Sequence, residues 1–280
     1  MQSINPITVI KASGIKEPFS EEKVIRSLAK TGLSQDLTSR TVDHLKHQLK
    51  HEVTTDAIYN NVSTYLKKNE YTENFFYYGL KRAVMALGPS GHPLEFLVSD
   101  LLRSHNYKTE VGVVTQGKCV THEIDVIAQK EDKKYFIECK YHNAPGTKID
   151  IQVALYSYAR FLDINDAQKK NGNVNNYPWL ITNTKATTEV LNYGKCTGLK
   201  VTTWALPQGE SLQDLIVTSG LHPITILYGI SKNKIDALLA RGIVTCARLN
   251  TAILNNEVSD ILDENDTPAI LSKIAIICKK

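Results

Sequence analysis

Two neighbouring segments of alternating polarity constrain this chain more than any other feature. Residues 121–128 (THEIDVIA) and 135–141 (YFIECKY) alternate polar and apolar side chains, the period-two pattern of half-buried strands. The charged tip Lys130-Glu131-Asp132-Lys133 joins them as a hairpin. With the turn centred between Glu131 and Asp132, Asp125 stands opposite Glu138 and Glu123 opposite Lys140, all four on one face. Ile124, Val126, Ile137 and Cys139 then point into a core. Burial of that set fixes the register, because a slip of one residue would expose all of it.

Two carboxylates placed across a ladder repel each other unless a cation lies between them. A divalent ion is the natural candidate. Hard oxygen ligands suit Mg²⁺ or Mn²⁺, ions that polarise a phosphodiester oxygen and lower the pKa of a bound water. Lys140, two residues beyond Glu138, is placed to orient that water or to offset charge developing on a phosphate. The same residues also fit an exposed hairpin of solvated charge pairs, each worth little, and Asp…Glu-x-Lys alone is a loose pattern.

The flanking segments narrow the choice. Residues 91–102 read as a helix with Pro93 in its first turn and Leu94, Leu97, Val98, Leu101 and Leu102 along one stripe, Glu95 falling just beside it. Residues 147–162 read as a second helix, on which Gln152 and Tyr156 share a face. An apolar strand at Trp179-Leu180-Ile181 follows, after a loop over residues 168–177 that reads as a mobile insertion. Helix, hairpin strands, helix and strand in this order make an α/β layer with a mixed sheet.

In this order and context, residues 94–207 resemble the restriction-endonuclease-like superfamily, the PD-(D/E)xK nucleases, and within it the Mrr and Holliday-junction-resolvase-like branch. The resemblance implies that Asp125 and Glu138 bind metal, that Lys140 is the catalytic lysine and that Glu95 assists with metal or water. Gln152 with Tyr156 resembles the Gln-x-x-x-Tyr element of related nucleases. Ile124 stands where the superfamily's name has proline. Residues 181–187 and 196–201 resemble the closing strand-helix-strand of the branch, where Thr184 and Lys185 are candidates to touch the DNA backbone and Thr184 or Thr187 to cap the following helix.

Residues 7–87 are of another kind. A short strand at residues 7–11 turns at Ser13-Gly14 and returns through Glu17-Pro18-Phe19. Four helical faces follow: Val24, Ile25 and Leu28; Val42, Leu45 and Leu49; Ile58, Val62 and Leu66; and Phe76, Leu80, Val84 and Leu87. Val9-x-Lys11-x-x-Gly14, Glu17-Pro18-Phe19, Lys23 and Thr54-Thr55-Asp56-x-Ile58 resemble the ATP-cone, the nucleotide-sensing module of ribonucleotide reductases and their transcriptional repressor. The resemblance implies that Lys11 and Lys23 meet phosphates while Glu17, Thr55 and Ile58 surround base and sugar. Lysine supplies compact positive charge suited to a polyphosphate. Ala12 and Tyr59 stand where members carry arginine and histidine, so preference between ATP and dATP stays open. The lysines also fit a solvated face of a small helical domain.

The tail from residue 211 is helical. Leu227-Tyr228-Gly229-Ile230-Ser231 and the helix after it resemble half of a helix-hairpin-helix unit, which implies backbone N–H groups, Lys232 and Lys234 offered to DNA phosphates. Ser231 replaces a glycine of that loop, and a packing or oligomerisation role fits equally. Residues 270–278 form an apolar helix that should dock.

A chain of 280 residues, 42% hydrophobic, allows several domains with real cores. We expect an ATP-cone over residues 1–88, a restriction-endonuclease-like mixed-sheet α/β domain over 89–210 and a helical region over 211–280. No run is long enough for a transmembrane helix and no signal-peptide pattern begins the chain. Five scattered cysteines without C-x-x-C spacing argue for a reducing, cytoplasmic location and against zinc or disulfides. A formal charge of +4 permits nucleic-acid binding without demanding it. His44, His47 and His51 share a helix face but lack a further metal ligand. The expected function is a Mg²⁺- or Mn²⁺-dependent DNA endonuclease regulated by ATP or dATP. The alternatives are a nucleotide-sensing DNA-binding regulator that does not cut and a Holliday-junction-type resolvase. A homo-oligomer is compatible with all three.

Overall fold

Strand β1 (Thr8–Ile10) lies at the centre of a three-stranded sheet, with β2 (Lys16–Pro18) antiparallel on one side and β3 (Glu52–Thr54) parallel on the other. The hairpin is as read from the sequence, but β3 is an addition. Helices α1 (Glu21–Ala29) and α2 (Gln35–Gln48) are capped by the Ser20 and Ser34 hydroxyls. Thr54 caps α3 (Thr55–Lys68), its hydroxyl accepting from the Ala57 N–H. Their apolar faces meet in a core of Val24, Leu28, Leu33, Val42, Leu45, Val62 and Leu66, with Leu49 and Ile58 against its margin. Ile25, expected inside, is exposed; it lies one residue beyond the stripe through Val24 and Leu28.

The computed structural model describes residues 7–170, 175–263 and 265–278. The chain divides into two compact units, Met1–Arg82 and Ala83–Lys280, the division falling within α4 (Thr72–Met85). The expected 89–210 and 211–280 regions both lie in the second unit.

That unit is built on a mixed five-stranded sheet. After α5 (His92–Ser104), strands β4 (Lys108–Gln116), β5 (Thr121–Lys130) and β6 (Lys133–Lys140) run antiparallel to one another, while β8 (Asn176–Thr182) and β10 (Lys200–Thr202) continue from β6 in parallel, in the order β10-β8-β6-β5-β4. A small parallel pair joins β7 (Lys148–Ile149) to β9 (Lys185–Ala186). Leu94, Leu97, Val98, Leu101 and Leu102 of α5 are all buried, as the stripe requires, each contributing about 1.5–3 kcal/mol relative to exposure. Helix α6 (Ile151–Lys170) sets Phe161 and Ile164 on Ile124, Ile127 and Phe136 of the sheet. Its first turn packs Ala154 with Leu180, and Val190 of α7 (Thr188–Thr197) joins the same cluster.

The helix expected from residue 147 begins at Ile151, because Lys148 and Ile149 pair as a strand and the Asp150 carboxylate accepts from the N–H groups of Gln152 and Val153. It also runs to Lys170, over the start of the expected loop; residues 171–174 of that loop lie outside the described residues. The C-terminal helices are α8 (Leu212–Ser219), α9 (Lys232–Ala240), α10 (Cys246–Leu254) and α11 (Asp266–Ile277). Ile270, Ile274 and Ile277 of α11 are buried, so the last helix docks as expected. All five cysteines are free. Among the described residues no helix is long and apolar enough to cross a membrane.

Candidate functional site

Strands β5 and β6 pair from Lys130 and Lys133 as far as Val126 and Ile137, in the register read from the sequence, and there the ladder ends. Beyond that point β5 stays with β4, Glu123 facing Val114, and β6 stays with β8, Lys140 facing Thr182. The two strands therefore part where Asp125 and Glu138 begin. Asp125 Oδ2 accepts from the Cys139 N–H at 2.7 Å, so the carboxylate replaces the acceptor that the ladder no longer supplies.

The β4 side is irregular too. Val111 pairs with Val126 and Val113 with Ile124, but the register passes over Gly112, whose φ of 64° opposite Asp125 suits glycine. Ile124 joins Ile127 in one buried cluster although they stand three positions apart, an odd spacing that alternation would put on opposite faces. The strict alternation expected of this strand is thus interrupted at Asp125, where Gly112 breaks the pleat.

Glu95, in the first turn of α5, is 8% exposed, and its Oε2 lies 3.1 Å from His92 Nδ1. Burial, reinforced by the charge of Asp125, raises its pKa. Burial also raises that of Asp125, against the opposing pull of the Cys139 N–H and Arg160. Glu138 is raised by burial and by Asp125, with Arg160 and Tyr156 opposing. The structure thus brings both sequence-read glutamates within electrostatic reach of Asp125. Lys140 ends β6 beside them and forms no ion pair among the described residues.

Helix α6 supplies the remaining wall. Tyr156 Oη donates to Glu138 Oε1 at 3.2 Å, and Arg160 Nη1 donates to Glu138 Oε2 at 2.5 Å and to the Glu123 carbonyl at 3.4 Å. Burial and the neighbouring Glu138 push the Tyr156 hydroxyl up to about 12, so it remains a donor. Gln152, two turns before Arg160, is exposed, and no side-chain bond among the described residues ties it to the acids. Arg160 was missed in the sequence, though it continues the four-residue spacing of Gln152 and Tyr156.

One buried and two part-buried carboxylates, with the charge of Asp125 acting on both glutamates, are the donor chemistry of a hard divalent cation. Their side chains do not yet form a cluster of three metal-holding groups among the described residues, and Arg160 and Tyr156 occupy both oxygens of Glu138.

Away from the acids, Asp163 of α6 ties down the tip between β4 and β5. It accepts from the N–H groups of Cys119 and Val120, and its Oδ2 lies 2.8 Å from His122 Nε2. Its hydrogen bond to His122, with those to Cys119 and Val120, holds its pKa down to about 2. A Cβ on Gly117 would lie 2.1 Å from Asp163 Oδ2 and 2.7 Å from the Val120 carbonyl. Gly117→Ala should therefore cost about 1–3 kcal/mol, read as a lowered thermal unfolding midpoint.

Other expected contacts resolve differently. Thr184 is buried, its hydroxyl 3.1 Å from that of Thr182, and so neither caps a helix nor meets DNA. Thr187 takes the N-cap position of α7, and Lys185 is exposed on β9. Ser231 caps α9, but Lys232 pairs with Asp236, and Lys234 with Asp263 and Asp266, so both charges are already matched. Of the histidines on α2, His44 stacks on Tyr65 and His47 bonds the Asp43 carbonyl.

In the first unit, Lys11 leaves the end of β1 and Thr55 opens α3 at the same end of the parallel pair β1–β3, the strand end where ligands gather in open α/β sheets. Glu17, on β2, bridges Lys11 Nζ at 2.6 Å and Lys23 Nζ at 2.8 Å. The bonds from Lys11 and Lys23 hold its pKa below the ordinary range. Three of the five expected nucleotide residues therefore meet directly. Ile58 lies a turn along α3 against the helical core, and no hydrogen bond among the described residues ties it or Thr55 to the trio. Tyr59 stacks on Tyr78 with ring centroids 5.3 Å apart, and Arg82 covers its ring while pairing with Asp56.

Residues 7–82 match the family model of the ATP cone domain. An uncharacterized protein of Archaeoglobus fulgidus is 42% identical over 146 residues, spanning 52% of this chain and 79% of that one. Among solved structures, AF1548, a protein of unknown function, gives a TM-score of 0.57 at 36% identity, covering 67% of this chain and 98% of its own. A repair endonuclease from Pyrococcus abyssi gives 0.31 at 15% identity, over 41% of this chain and 46% of its own, a likeness too slight to carry an argument.

Proposed function

The chain belongs to the family of that uncharacterized A. fulgidus protein and AF1548, whose names assign no activity, and from its site we propose that it is a metal-dependent DNA endonuclease regulated by ATP or dATP. One observation carries the reading: buried Glu95 and the part-buried Asp125 and Glu138 gather where two strands part, the charge of Asp125 raising the pKa of both glutamates, with Lys140 beside Glu138. A protein without use for a cation there would be more stable with one of these acids replaced.

Asp125 and Glu138, assisted by Glu95, would hold Mg²⁺ or Mn²⁺, and that ion would polarise the phosphodiester and acidify a water. Asp125 is held by the Cys139 N–H and Glu138 by the Tyr156 hydroxyl, while Arg160 would have to release Glu138 for the acids to close on an ion. Lys140 supplies an ammonium that offsets charge developing on the phosphate, and Gln152 offers an amide at the site's open edge. In the first unit the ATP cone match supports adenine-nucleotide binding, with Lys11 and Lys23 on the phosphates. Its regulatory role follows from the absence of a Walker-type lysine loop in the sequence, and requires that nucleotide bind two states of the protein unequally.

Arg160 favours a second reading. Its guanidinium already neutralises Glu138, which suits a nucleotide-sensing protein that grips DNA without cutting it. Supercoiled plasmid, single-stranded and branched DNA incubated with Mg²⁺ or Mn²⁺, with and without ATP and dATP, decide between them. We expect cutting that falls about 10²–10³-fold in Lys140→Ala and changes with nucleotide. Binding without cutting on every substrate supports the second reading, and cutting confined to branched DNA makes the enzyme a resolvase.

A further inference from the structure

Arg160 has two partners and capacity for a third. Both of its hydrogen bonds, to Glu138 Oε2 and to the Glu123 carbonyl, leave from Nη1. A guanidinium carries five N–H donors in a planar fork, and among the described residues no hydrogen bond engages Nη2 or Nε. Its side chain is 31% exposed against 15% for Glu138, so the arginine is the more accessible partner of the pair. The planar fork fits a phosphodiester as well as it fits a carboxylate.

Glu138 does not depend on Arg160 for its direction. Tyr156 holds the other oxygen from one turn earlier on α6. When the guanidinium leaves, the carboxylate is still aimed but has lost its paired counter-charge, and only the Tyr156 hydrogen bond and Lys140, which forms no ion pair with it, still oppose the repulsion from Asp125. A cation entering the acids and an arginine departing them are therefore one exchange.

We propose that Arg160 is the DNA-phosphate-binding residue of this site, held on Glu138 until a divalent cation takes that carboxylate. The inference rests on the endonuclease reading for its cation, but not for its arginine. The exchange makes metal and arginine rivals for Glu138 and makes metal and DNA phosphate allies, because each frees what the other needs. It also gives Glu138 a counter-charge while no substrate is present.

The test separates the two halves, using the full chain. Mn²⁺ binding, followed by electron paramagnetic resonance, should be about tenfold tighter in Arg160→Ala than in wild type. Unchanged or weaker binding in a variant with the wild-type circular dichroism spectrum overturns the exchange. Binding of a short DNA duplex in EDTA, followed by fluorescence anisotropy, should tighten severalfold in Glu138→Gln, which releases the arginine. That gain should vanish when Glu138→Gln is made in an Arg160→Ala background. A gain that survives there reflects only the lost negative charge and overturns the assignment. If Arg160→Ala does not fold, Arg160→Gln replaces it in both arms. A wild type that binds no Mn²⁺ at the acids removes the endonuclease reading and, with it, the exchange; the EDTA arm still reports whether the freed arginine binds phosphate.

Discussion

Asp125→Asn should leave a chain that is more stable than wild type without metal, yet cuts DNA two to three orders of magnitude more slowly, about the loss expected when a preorganised electrostatic contact is removed. Asparagine keeps a side-chain oxygen for the Cys139 N–H, so the parted strands keep their closing bond. It removes the charge that raises the pKa of both Glu95 and Glu138. The sign of the pH dependence follows. Each of the three acids has a folded-state pKa raised above its ordinary value, so each contributes stability that is complete below the ordinary carboxylate range and is lost as pH rises through the raised value. The stability gained by Asp125→Asn over wild type should therefore grow on moving from acid to neutral pH in EDTA. Mn²⁺ at a hundred times its dissociation constant should return about 2.7 kcal/mol to wild type at neutral pH and little to the variant. Thermal melts with and without EDTA check both statements. A variant that melts below wild type in EDTA refutes the account of repelling acids.

Lys23→Ala and Lys11→Ala should each weaken ATP and dATP binding by about one to two orders of magnitude, since a hydrogen bond to a charged group contributes about 1.5–3 kcal/mol. The two ammonium groups converge on opposite oxygens of Glu17, so a polyphosphate has two cations already gathered and competes with one carboxylate for them. Lys16 provides the control. It lies on the same strand as Glu17 but pairs with Glu52, and Lys16→Ala should bind nucleotide as wild type does. Titration calorimetry on the full chain is the measurement. Equal losses in all three variants would mean that only net charge matters, and the trio would lose its assignment.

The parts of this molecule that could be read in advance are those where burial and a short period agree. The β5–β6 register follows from apolar residues that must be inside, and the α5 stripe from leucines spaced for one helix face. Strand β3 was not readable, because three residues with one buried side chain carry no period. Nor was the parting of β5 and β6: it depends on Gly112 across the sheet and on a side chain replacing a ladder acceptor. Arg160 had a signal in its spacing from Gln152 and Tyr156, but its pairing with Glu138 spans 22 residues of chain. Lys234 looked like a phosphate ligand because its partners Asp263 and Asp266 arrive from the start of a later helix and the segment before it, whereas the partner of Lys232, Asp236, lies four residues along the same helix and was legible.

Asp163 fixes α6 to the β4–β5 tip within one turn of Arg160, through bonds that involve none of the acids. The helix that carries Tyr156 and Arg160 is thus held by a fastening outside the site it serves. Such separation makes the chemistry evolvable. Substitutions at Tyr156 or Arg160 alter what the helix offers without loosening its seat, so descendants of this fold are free to exchange one anion-binding surface for another while the tip keeps the two walls in register.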